Sequence, residues 1–353
     1  MPTQKNRLKH AVSLITTTLF LCFIIFQAYA SPYILIDADT KKIILENESS
    51  RLWHPASLTK LMTTYIAFSM IRDGQVTFKT PIVISKHAAN QPPVKMHFQP
   101  GSQLTLDNAL KIMLIRSAND IAIAIAENLS KTEQSFVLRM NQEAKKLGLL
   151  STHFVNPHGL TQKNQYNYTT ARDLAILSLA IRNEFPNYLN YFSLPGFKIH
   201  EKNYFNSNWL IGHFPGANGM KTGYTCSSGF NLISSATQKG RTVIAVVLGT
   251  EDLNKRNTIS QKLLLEGFLH YPTSNMKTLS SKKNISNNLP DIKEKICNKK
   301  NDLLNSQLLA EEKNIQEREN LNLLNINLLK DTKKIKKNKI PSRKNNTKKI
   351  SRY

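Results

Sequence analysis

The chain predicts an α/β (α+β) domain: one antiparallel sheet built from strands near both ends of the domain, with helices on both faces. Three observations carry this. Residues 33–46 (YILIDADTKKIILE) hold two strand-like runs around Asp39-Thr-Lys-Lys42, a β-hairpin signal. The middle of the chain carries apolar residues at helical spacing. After Lys221 the pattern returns to strands, with Gly229–Ala236 and Arg241–Gly249 reading as a paired ribbon.

The helical elements follow in order. Pro55 precedes Ser57–Met70, where Leu58, Leu61, Met62, Ile66 and Ala67 recur at helical spacing, and this places Ser57 in the first turn of a helix. Residues 105–116 and 119–129 read as two helices meeting around Ser117. Arg139–Leu147 and Thr170–Arg182 are further helices, and Thr258–Leu269 closes the domain.

Composition divides the chain of 353 residues into three parts, 1–30, 31–272 and 273–353, with a formal net charge of +24. The last 81 residues hold 20 basic and 8 acidic side chains, so half of the excess charge lies in the tail. Residues 1–30 read as a secretory signal: Lys5, Arg7 and Lys9 lead an apolar stretch from Ala11 to Phe26, and Ala28-Tyr-Ala30 is a small-x-small cleavage site. That stretch of 16 residues falls short of the ~20 needed to span a bilayer. Export to the periplasm is therefore expected, and nucleic acid is excluded as a partner despite the charge. The mature chain would keep only Cys226 and Cys297. Two cysteines make no disulfide framework, and no structural disulfide is expected. The tail carries Leu304, Leu308, Leu321, Leu324 and Leu328 in an uneven amphipathic run over 303–329, then a basic low-complexity end. It reads either as a disordered extension or as an amphipathic helix lying on anionic lipid at the outer face of the inner membrane.

Three short motifs carry chemistry: Ser57-Leu-Thr-Lys60, Ser117-Ala-Asn119 and Lys221-Thr-Gly223. A serine hydroxyl is a poor nucleophile until a base takes its proton. Ser57 and Lys60 share a helix face at i, i+3, and Lys60 can act as base if burial and a second cation, Lys221, depress its pKa. Ser117 can relay a proton to a leaving amine, and Asn119 can offer a donor and an acceptor to a peptide-like substrate. Gly223 leaves the strand edge open for an extended peptide to add as a further strand. Lys221 and Thr222 are placed to hold a carboxylate, and the backbone N–H groups of Ser57 and Tyr224 to form an oxyanion hole. No cofactor or metal is called for. Taken singly the first two motifs are weak, since Ser-x-x-Lys recurs at Ser274 and Ser280 and Ser-x-Asn at Ser286.

The trio matches the known signature of class A β-lactamases and penicillin-binding proteins. Longer strings extend the match: HPASLTKLMT (54–63), QPGSQLTLDNALKIMLIRSANDIAIAIAE (99–127), THFVNPHGL (152–160), ARDLA (171–175) and GMKTGYT (219–225). Over residues 31–272 the chain resembles the low-molecular-mass penicillin-binding proteins, serine-type D-alanyl-D-alanine carboxypeptidases of peptidase family S11. The resemblance implies a β-lactamase/transpeptidase-like fold and removal of the terminal D-Ala from peptidoglycan stem peptides through an acyl-enzyme on Ser57. It also implies acylation by β-lactams and a carboxylate-binding arginine, for which Arg256 is the matching position. The chain departs from the family in Ala118, where glycine is usual, and in a tail resembling neither the usual β-rich domain nor its anchoring helix. A D,D-endopeptidase would share every motif. A class A β-lactamase would add Glu-x-x-x-Asn between the second and third motifs, and none of Glu127, Glu133, Glu143, Glu184 and Glu201 has Asn four residues on.

Overall fold

The computed structural model describes residues 31–162, 164–284, 288–297, 323–327 and 329. The expected signal, the run 298–322 and the basic end from Lys330 lie outside the described residues.

Along the chain run β1 (Tyr33–Asp37), β2 (Ile43–Asn47), α1 (Lys60–Arg72), β3 (Pro81–Val83), α2 (Lys86–Ala89), β4 (Gln103–Thr105), α3 (Leu106–Arg116) and α4 (Asn119–Ser130). Then come α5 (Glu133–Lys146), α6 (Ala171–Glu184), β5 (Gly196–Ile199), β6 (Lys202–Phe205), β7 (Ala217–Thr225), β8 (Gly229–Gln238) and β9 (Arg241–Thr250). The described residues end with α7 (Leu253–Leu269), α8 (Lys293–Ile296) and β10 (Leu324–Asn325). The main sheet has the order β2-β1-β9-β8-β7, every pairing antiparallel. The sheet thus joins the two ends of the domain, as expected, with β7 at a free edge.

Both faces of this sheet are buried, which is why β9 reads as a nearly continuous apolar run and not as an alternating one. Successive side chains still point to opposite faces. Ile34, Ile36, Ile233, Ile244 and Val246 enter the large core shared with α1, α3 and α4. Leu35, Leu232, Val243, Ala245 and Val247 meet Leu263 and Leu264 of α7 on the other side. Burying a side chain of this size contributes roughly 1.5–3 kcal/mol, so both layers hold β7 and α1 in fixed relation.

Two helices start earlier than their apolar patterns indicate. The α5 helix begins at Glu133 behind an N-cap in which Thr132 accepts from the Ser135 N–H at 3.0 Å. The α7 helix begins at Leu253, with Asp252 accepting from the Lys255 N–H at 2.7 Å. Glu133–Ser135 and Asn254–Lys255 in these first turns are polar and carry no apolar periodicity, so capping defines the starts.

The C-terminal segment departs most from expectation. A boundary at 272 does not hold for the residues that follow it. Lys42 bridges to Thr278, Ser281 Oγ donates to Asp173 at 2.6 Å, and Arg172 donates to the Ser280 carbonyl at 3.2 Å. Ile296 is buried. Cys226 and Cys297 form a disulfide across 71 residues of sequence, contrary to the expectation of none. Further on, Leu324–Asn325 pairs parallel with β5 and Ile326 is buried in the main core. An amphipathic helix through this end of 303–329 is thereby corrected to a strand. The physical reason is that this segment is held by polar side chains, backbone pairing and one covalent bridge, none of which leaves an apolar periodicity in the sequence. Among the described residues, no helix is long and apolar enough to cross a membrane.

Candidate active site

Ser57 sits in a tight 3-10 turn, Ala56–Thr59, that leads directly into α1 at Lys60. It therefore lies one turn before the regular helix and not within its first turn. Lys60 is fully buried. Its Nζ lies 2.9 Å from Ser57 Oγ, 2.7 Å from Asn119 Oδ1 and 2.9 Å from the His158 carbonyl oxygen. Burial, and then the charge of Lys221, hold the Lys60 pKa well below the usual lysine value, while Asp120 opposes them. Nζ donates to all three oxygens; in a neutral amine two N–H groups would still serve the two carbonyl oxygens and the lone pair would face the Ser57 hydroxyl proton.

Asn119 opens α4. Its Oδ1 is committed to Lys60, and its Nδ2 donates to the Pro92 and Pro93 carbonyls, both at 3.1 Å. The side chain braces the lysine. Ser117 ends α3 in the left-handed region (φ 64°). Its hydroxyl is buried without a hydrogen-bond partner among the described residues. Ala118 takes φ −62°, a conformation open to any residue, so the departure from glycine brings no backbone strain.

The third motif lies on β7. Lys221 is buried, donates to the Thr222 carbonyl at 3.0 Å, and has its pKa lowered to about 7 by burial and by Arg256. Arg256, on α7, is also buried and donates to Asn257 Oδ1 from Nε at 3.1 Å and Nη2 at 2.8 Å. Thr222 Oγ1 lies 2.7 Å from Ser207 Oγ. A Cβ on Gly223 would stand 2.9 Å from the Pro55 carbonyl oxygen and 3.2 Å from the Ser57 and Leu58 nitrogens. The glycine thus lets β7 close against the nucleophile's own turn. The close approach carries Tyr224, the next residue, to the Ser57 turn.

Sequence reasoning assigned no role to the loop 156–160, although the string was noted. Asn156 Oδ1 accepts from the Gly159 N–H and Asn156 Nδ2 donates to the Leu160 carbonyl, both at 2.7 Å. Thr63 Oγ1 donates to the Pro157 carbonyl at 2.8 Å. Gly159 (φ +91°) packs so tightly that a Cβ would overlap the Ala56 carbonyl oxygen. This turn presents the His158 carbonyl to Lys60. The signal was Asn-Pro-His-Gly, turn chemistry, but what matters is a backbone oxygen, which no residue type announces.

The site therefore gathers Ser57 on the 3-10 turn, Lys60 on α1, Asn119 on α4, Lys221, Thr222 and Gly223 on β7, and Arg256 on α7. A family model for D-alanyl-D-alanine carboxypeptidases matches residues 25–252. The chain is 34% identical to D-alanyl-D-alanine carboxypeptidase DacF of Bacillus subtilis, covering 69% of this chain and 63% of that protein. It is 34% identical to DacC of Escherichia coli, covering 69% and 62%. It thus spans somewhat under two thirds of these relatives' length. Its fold is similar to that of penicillin-binding protein 5 from Haemophilus influenzae, at 31% identity and a TM-score of 0.65 over 68% of this chain and 71% of that one. It is also similar to penicillin-binding protein D2 of Listeria monocytogenes in an ampicillin-bound form, at 27% identity and a TM-score of 0.60 over 68% and 97%.

Proposed function

We propose that this chain, which belongs to the D-alanyl-D-alanine carboxypeptidase family of serine peptidases, removes the terminal D-Ala from peptidoglycan stem peptides. Ser57 Oγ attacks the carbonyl of the penultimate D-Ala as its proton passes to Lys60 Nζ. The Ser57 and Tyr224 N–H groups receive the developing oxyanion. Ser117 returns a proton to the leaving D-Ala nitrogen, while Lys221, Thr222 and Arg256 hold the D-Ala carboxylate. Asn119 keeps Lys60 aimed at the nucleophile. Water then hydrolyses the ester on Ser57. A β-lactam enters as a substrate mimic and acylates the same oxygen.

One observation carries this reading: the buried Lys60 amine, 2.9 Å from Ser57 Oγ, with both remaining neighbours acceptors. Residues 1–30 would direct export, placing the enzyme in the periplasm where its substrate is, with the basic end of the chain available to anionic lipid. Purified full chain is incubated with a fluorescent penicillin and with a D-Ala-D-Ala pentapeptide, beside Ser57→Ala. Wild type labels and releases D-Ala, and Ser57→Ala does neither. Failure of wild type in both assays refutes the reading, and labelling that survives Ser57→Ala removes Ser57 as nucleophile.

A further inference from the structure

We propose that residues 291–297 form the upstream wall of the stem-peptide groove, latched by the Cys226–Cys297 disulfide, and so help select the peptide preceding D-Ala-D-Ala. This rests on the reading of Ser57 and β7 given above.

The direction of the bound peptide follows from the order of groups on β7. Lys221 and Thr222, which take the terminal carboxylate, precede Gly223, which abuts the Ser57 turn. A peptide added antiparallel to this edge strand has its C-terminus at residues 221–222 and its scissile carbonyl beside Ser57. Its preceding residues then run past Tyr224 and Thr225 toward Cys226.

At that end the C-terminal segment is seated by several independent contacts. The disulfide joins Cys297 to Cys226. The Ile292 N–H donates to the Ser227 carbonyl at 3.3 Å. Lys295 Nζ lies 2.6 Å from Glu251 Oε1 at the start of the loop into α7. Ile296 is 2% exposed. The wall also touches the catalytic strand: the Tyr224 hydroxyl is 3.3 Å from Cys297 Sγ, and its ring packs on Phe230 with centroids 4.4 Å apart. A segment needed only to end the domain would not have to meet the residue whose N–H serves the oxyanion. The surface it offers, a phenol, a disulfide and an ion-paired lysine stem, suits a long side chain with an apolar body and a polar tip.

The test measures kcat/KM for D-Ala release from a pentapeptide and from N-acetyl-D-Ala-D-Ala, which lacks the upstream residues. Wild type, the double variant Cys226→Ser/Cys297→Ser and Lys295→Ala are compared. The pentapeptide-to-dipeptide ratio is expected to fall at least fivefold in the double variant and at least twofold in Lys295→Ala. A ratio that stays at the wild-type value, or a parallel loss on both substrates, overturns the proposal. If the double variant shows no cooperative melting transition, Lys295→Ala, which keeps the bridge, decides on the same ratio. Failure of the underlying reading looks different, because wild type would then release D-Ala from neither substrate and take no penicillin label.

Discussion

Lys60 lies 2.9 Å from Ser57, and its ammonium, if charged, would sit fully buried without a carboxylate in contact. Burying an unpaired charge is costly enough that the group gives up its proton instead. Burial and the charge of Lys221 hold its pKa well below the usual lysine value, which supports the proposed role as base, and several consequences can be measured.

Lys60→Arg places at this position a group that cannot supply a base, because guanidinium stays protonated in proteins. The rate of Ser57 acylation by fluorescent penicillin is expected to fall by about 10³-fold, within the range for loss of a general base. Labelling at a rate close to wild type would remove Lys60 from that role.

Lys221 tests the cost of the site. Its pKa is about 7 in the folded protein against ~10.4 when unfolded, so the unfolded chain binds more protons between these values and stability rises with pH across that window. Below about 7 the full penalty is present. Lys221→Met is therefore expected to raise the melting temperature by about 3 °C or more at pH 6, with the gain shrinking toward pH 10, while D-Ala release is lost. A gain independent of pH would show that ionisation of Lys221 is not the source.

Gly223→Ala puts a Cβ against backbone at Pro55 and Ser57, and neither backbone can swing aside as a side chain would. The strand must move by a few tenths of an ångström or more from the nucleophile. Displacements of that order lower kcat/KM by up to about 10²-fold. Circular dichroism should report a native fold, and a kcat/KM within twofold of wild type would contradict the close approach.

Asn156→Ala removes both hydrogen bonds that shape the turn bearing the His158 carbonyl. It leaves the buried Gly159 N–H without its acceptor and the Leu160 carbonyl with only the Asn167 Nδ2 donor at 3.5 Å among the described residues, which costs roughly 1–3 kcal/mol, read as a shift of the urea midpoint. Penicillin acylation should slow as well, since Lys60 loses a fixed acceptor. A destabilised variant with an unchanged acylation rate would make the loop structural only.

Much was determined by the amino-acid sequence alone. The β1–β2 hairpin, the helices meeting at Ser117, the β8–β9 ribbon and the order of the three motifs are written in local periodicity and turn chemistry, which act between near neighbours. Ser57, Lys60, Asn119 and Lys221 could be named as candidate site residues for that reason. Tertiary structure decided what depends on distant approach. It set Asn119 Oδ1 against Lys60 as a brace and brought Gly223 against the backbone of the Ser57 turn. It brought the His158 carbonyl to the amine, drew 273–297 onto the domain and joined Cys226 to Cys297. These are matters of which surfaces meet, and they rest on backbone atoms, buried polar groups and a covalent bridge. None of those repeats along the chain, so no pattern of residue types could announce them.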